Sequence, residues 1–125
     1  MNRKELIREY KETGRPMGIF CVRNTATGKV LIGSSTDLPG ILNRHRWQLE
    51  MGMHANRDLQ NDWNTLGPQA FAFETLDTLS KPDEPGYQPA DDLKELLDMW
   101  MEKLSPYGDR GYHTMPKGRA AILKS

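Results

Sequence analysis

His45 is the side chain in this sequence most suited to chemistry. Histidine changes charge near neutral pH and acts as acid, base or hydrogen-bond donor. Its chain neighbours Arg44 and Arg46 are cationic, and Arg23, Lys29 and Arg57 add further positive charge in the same half of the molecule. Such groups are what a phosphate backbone requires, because they displace its counterions and position it. Ser34 and Ser35 stand just before a predicted helix, where backbone N–H groups can hold a phosphate. Trp47 offers a ring on which a base can stack. Glu74, inside a short apolar run, is the carboxylate best placed to serve a cleft.

Each of these residues also has a plainer reading. His45 falls on an apolar helical stripe and reads as a half-buried histidine bonded to backbone. Glu74 reads as a solvent-facing strand residue, since glutamate is seldom buried. The arginines read as a solvated helix face, Ser34 and Ser35 as a helix cap, and Trp47 as packed against an N-terminal helix. His54 and His113 lack ligand spacing and read as surface groups. Cys21, within a predicted strand, reads as a buried and inert thiol.

The 125 residues suffice for one domain. Hydrophobic residues make up 37%, charged residues 27%, and mean hydropathy is −0.72, so the core is thin. A single cysteine forms no intrachain disulfide, which points to a reducing compartment. No apolar run approaches a membrane span, and the first residues lack the apolar stretch of a signal peptide. The expectation is a soluble cytoplasmic protein with no membrane partner. The net charge of zero excludes a histone-like polycation, yet it is unevenly spread. Residues 1–60 carry ten Lys/Arg against six Asp/Glu, and residues 61–125 carry seven against eleven.

The elements that must position these side chains follow from periodicity and punctuation. Asn2 to Lys11 reads as a short helix. Met17 to Arg23 and Lys29 to Ile32 read as two strands of an antiparallel hairpin around a Gly-containing loop. A helix is predicted from about Leu38 to Glu50, capped by Asp37 or Thr36, with Pro39 in its first turn and Gly52 closing it. Leu38, Ile41, Leu42, His45 and Leu49 form its inward stripe. Asn56 caps a second helix with Leu59, Trp63 and Leu66 on its apolar face, stopped at Gly67-Pro68. Phe71 to Leu76 reads as a third strand. Residues 80–90 form a loop, and Asp92 with Glu95 resembles a capping box for a helix bearing Leu93, Leu96, Leu97, Trp100, Met101 and Leu104. The Gly- and Pro-rich stretch after Pro106 reads as only partly ordered. The fold class is α+β: a small three-stranded, mainly antiparallel sheet flanked by helices. The divisions are 1–16 as helix and connector, 17–113 as the domain, and 114–125 as a flexible basic tail.

This order resembles the GIY-YIG nuclease superfamily, in the branch of phage homing endonucleases and small bacterial proteins. Gly18-Ile19-Phe20 and Leu31-Ile32-Gly33-Ser34-Ser35 carry the likeness. It continues through Asn43-Arg44-His45, His54-Ala55-Asn56, Leu59-Gln60, Gly67, Phe71-Ala72-Phe73-Glu74, Trp100, Lys103-Leu104 and Gly111-Tyr112, so that it spans roughly Met17 to His113. The resemblance implies cleavage of DNA phosphodiesters with one divalent metal. It implies two strand tyrosines beside the phosphate, a helical arginine, a histidine one turn later, a metal-binding glutamate and a late asparagine. Here the tyrosine positions hold Phe20 and Leu31, the arginine position Ile41, the glutamate position Leu97 and the asparagine position His113. Of the reactive set only His45 remains.

The expectation is therefore a GIY-YIG-like domain with a degenerate site and no metal site or cofactor. It would bind nucleic acid, DNA being the partner implied, weakly through Arg23, Lys29, Ser34, Arg44, Arg46 and Arg57. One alternative is a weak Mg²⁺- or Mn²⁺-dependent endonuclease rebuilt around His45 and Glu74. Another is a protein-interaction or dimerisation module, which seven methionines suit; homo-oligomer formation is left open.

Overall fold

The computed structural model describes residues 16–80 and 85–114. The predicted helix at Asn2 to Lys11 and the tail from 115 onward lie outside them. Strands β1 (Gly18–Asn24), β2 (Val30–Ser35) and β3 (Phe71–Thr78) form one antiparallel sheet in the order β2-β1-β3. Helices α1 (Leu38–Glu50) and α2 (Arg57–Leu66) follow the hairpin, and α3 (Ala90–Leu104) follows β3. Among the described residues, no helix is long and apolar enough to cross a membrane.

Strand alternation divides β1 between two layers. Val22 packs with Leu49, Leu59, Trp63, Phe71 and Tyr112 on the α1/α2 face, with Leu31 and Phe73 against them. Ile19 and Cys21 pack with Val30 and Ile32 on the other face, where Leu96, Leu97, Trp100, Met101 and Leu104 of α3 cover them. Cys21 is the buried thiol expected, its pKa pushed up to about 11 by burial. Burying each such aliphatic or aromatic side chain contributes roughly 1.5–3 kcal/mol. A register shift between Ile19 and Phe20 inserts one residue of β3. It lets Leu76 join the α3-side cluster while Asp77 accepts the Trp100 indole N–H at 2.9 Å.

The glycines of the first two strands have steric causes. Gly18 has φ +154°, and a Cβ there would run into the Asp77 carbonyl of β3. Gly33 faces Phe20 across the hairpin, and a Cβ would sit 2.6 Å from the far end of that ring. Phe20 therefore lies flat over β2.

Two expectations need correction. Helix α3 starts at Ala90, with Pro89 at the cap position and no side-chain cap bond. Asp92 lies inside the first turn and accepts the Tyr87 hydroxyl at 2.6 Å, so it caps nothing. Of the stretch after Pro106, residues 111–113 are docked on β2. Tyr112 N–H donates to Val30 O at 3.0 Å, and Ile32 N–H donates to His113 Nε2 at 2.9 Å. These bonds satisfy the outer edge of β2 at Val30 and Ile32, which the sheet itself leaves unpaired. His113, expected at the surface, is spent on this edge and is half-buried.

Candidate functional site

Local sequence sets the site helix in place. Asp37 Oδ1 accepts Gly40 N–H at 3.1 Å, and Pro39 occupies the first turn, where its missing N–H costs nothing. Leu38 and Leu49 anchor the two ends of α1 in the core. His45, midway along, then meets Phe20 with ring centroids 5.0 Å apart. Ile41, one turn earlier, is half-buried on the same helix face.

The partner of His45 is His54, not backbone. His45 Nδ1 lies 2.8 Å from His54 Nε2, and the rings stack at 5.0 Å. His54, expected at the surface, is buried in the α1–α2 turn. Three bonds hold it there. Its backbone N–H donates to Gln60 Oε1 at 3.0 Å, Asn56 N–H donates to its Nδ1 at 3.0 Å, and Gln60 Nε2 reaches back to Leu49 O at 3.0 Å. Asn56 also caps α2, accepting Leu59 N–H at 3.1 Å, and donates to Tyr112 O at 2.9 Å. Burial, then the His54 and Arg44 charges, pushes the His45 pKa down to about 4; burial lowers that of His54 too. Both rings are neutral at pH 7.

The six expected nucleic-acid contacts do not share one face. Arg44 and Arg46 are exposed beside His45, and Arg46 sits 4.4 Å over the Phe73 ring. Arg57 is exposed in the first turn of α2. Lys29 lies 5.8 Å over Tyr112. Arg23 follows Cys21 by two residues and so lies on the α3 side. There its Nε meets Glu74 Oε1 at 3.0 Å. Ser34, paired with Ile19, faces that side as well and lines a cleft of about 530 Å³ beside the start of α3.

The pairing of Cys21 with Glu74 bears on the rebuilt-site alternative. Glu74 shares the face of Cys21, whereas His45 packs on Phe20, the adjacent and opposite-facing residue. The sheet separates the two, so they form no joint site. The donor set also does not fit a divalent cation, which needs oxygen ligands. Leu97 packs with the aliphatic cluster under α3, Leu31 with the opposite cluster, and no three His, Cys, Asp or Glu side chains converge among the described residues.

Comparison with known proteins agrees with the architecture. The catalytic domain of the homing endonuclease I-TevI is 29% identical, with 80% of this chain and 99% of that one covered at a TM-score of 0.63. A point mutant of the catalytic domain of the intron endonuclease I-TevI is 28% identical, with 72% and 84% covered at 0.59. No family model and no curated protein matches the chain.

Proposed function

Given that the chain has the fold of the GIY-YIG nuclease superfamily, we propose that it binds a nucleic-acid backbone through the exposed side of α1 without cutting it. The observation that carries this reading is the setting of His45. Arg44 and Arg46 flank it in open solvent, while Phe20, Leu31 and Ile41 put carbon where the family implies hydroxyls and a guanidinium. Cleavage needs an activated nucleophile, charge stabilisation and a proton for the leaving oxygen. Losing one preorganised charge-stabilising donor costs about 10²–10³ in rate, and several are absent together. Binding needs only cationic and N–H donors, which persist.

Fluorescence anisotropy with short DNA duplexes across a salt series tests the binding. The expected result is weak binding whose logarithm falls linearly with log salt, by about 0.9 per phosphate contacted. Binding that is undetectable at low salt, or indifferent to salt, overturns it. Scission of plasmid with Mg²⁺ or Mn²⁺ that vanishes in His45→Ala moves the protein to the endonuclease class.

One observation favours a second reading. Trp47, Met51 and Met53 are 53%, 57% and 60% exposed at the end of α1, and exposed apolar groups side by side suit a protein partner. Size-exclusion chromatography with light scattering, at rising concentration, addresses self-association.

A further inference from the structure

We infer that His54 is a positioning residue that holds the proton of His45 on Nε2, making His45 a fixed hydrogen-bond donor to an anionic oxygen. The inference follows from the direction of three bonds. Asn56 N–H is a backbone donor and has no alternative role, so His54 Nδ1 accepts and carries no proton. A neutral imidazole has one N–H, which on His54 must then be Nε2. That N–H is the donor in the 2.8 Å contact, so His45 Nδ1 is the acceptor. The His45 proton therefore sits on Nε2.

That nitrogen is available. Among the described residues it has no hydrogen-bond partner, and every buried side-chain nitrogen or oxygen of those residues has one, so Nε2 lies on the open surface that they form. Arg44 and Arg46 supply positive charge on either side along the chain. A donor without a lone pair, set between cations, matches a phosphodiester oxygen and rejects a metal ion. His45 Nδ1 and both nitrogens of His54 have their proton or lone pair committed within the relay. The pair is thus no two-histidine metal site, although its nitrogens are close together.

The choice of ligand rests on the reading above that α1 meets nucleic acid; the proton assignment does not. The test keeps them apart. Long-range ¹H–¹⁵N NMR of the full chain at pH 7 reads the tautomer directly. His45 should show a protonated Nε2 and an unprotonated Nδ1. His54→Ala should convert it to a mixture of both forms, and His54→Gln, whose amide N–H can donate to Nδ1, should restore the single form. A protonated Nδ1 in the native protein, or an unchanged tautomer in His54→Ala, overturns the inference. Anisotropy with a DNA duplex is the second arm. His54→Ala should weaken binding by the reciprocal of the fraction left in the Nε2–H form, about twofold for an even mixture, and His54→Gln should recover it. Absent DNA binding beside the expected NMR signature removes the nucleic-acid reading and leaves the relay established.

Discussion

Asn24 and Tyr112, 88 positions apart, meet through a 3.1 Å hydrogen bond from the amide nitrogen to the phenolic oxygen. Asn24 is wholly buried, and its Oδ1 holds the hairpin turn by accepting Ala26 N–H and Thr27 N–H. The Tyr112 hydroxyl in turn donates to Asp62 Oδ2 at 2.8 Å on α2. One phenol thus ties the hairpin, the second helix and the last described segment together. Tyr112→Phe leaves a buried amide without its acceptor, so it should cost about 1–3 kcal/mol. Urea denaturation checks it; a loss near zero would mean that the amide finds another partner.

Gly33→Ala should destabilise the fold by roughly 1–3 kcal/mol, as overpacking does. The added Cβ meets the end of the Phe20 ring, which also packs against His45. Thermal unfolding measures the loss, and combining the change with Phe20→Leu, which removes the obstructing ring end, should recover part of it.

Acid should weaken the fold through the histidine pair. The unfolded His45 titrates near 6.5 and the folded one near 4. Between these values the unfolded chain takes up a proton that the native chain refuses. Stability is therefore complete above about pH 6.5 and falls as pH drops toward 4. His54 and His113, also lowered by burial, act in the same direction. Midpoint temperatures followed from pH 7 to 4 should decline, and less steeply in His45→Gln. Parallel slopes for the two proteins count against this assignment.

Two arginines that look alike in the sequence should behave differently. Arg44→Glu should weaken duplex binding and lower the salt slope by about 1, because a phosphate contact is lost. Arg23→Glu should leave binding nearly unchanged, since Arg23 lies across the sheet, paired with Glu74. Anisotropy on both variants decides, and equal losses argue against α1 as the contact surface.

Millimolar Mg²⁺ should leave the unfolding midpoint unmoved. A ligand stabilises only by binding the native state, and the described residues converge on no donor set. A rise of several degrees, measured by calorimetry, would contradict the fit argument.

How much of this was legible in the sequence depends on how local each cause is. The bounds of α1 rest on Asp37, Pro39 and the chain's own turn, and they stand where the residues put them. Asn56 is legible as a cap for the same reason. The α3 start is misread because Pro89 opens the helix without a side-chain cap. The place of Arg23 was available in the sequence: two residues beyond Cys21 on a strand means the same face. His54 was not legible. Its burial comes from Gln60 and Asn56 folding the turn back onto α1, a contact with no periodic trace. His113 was missed because its role is set by the empty flank of a strand 81 positions away.

The late attachment of residues 111–113 to β2 has a consequence for biosynthesis. Translation runs from the N-terminus, so the hairpin is complete while the segment that shields its outer flank is still unmade. For that interval the nascent sheet offers bare amides and carbonyls to any neighbouring strand. In the folded protein Tyr112 N–H claims the Val30 carbonyl and closes that part of the flank.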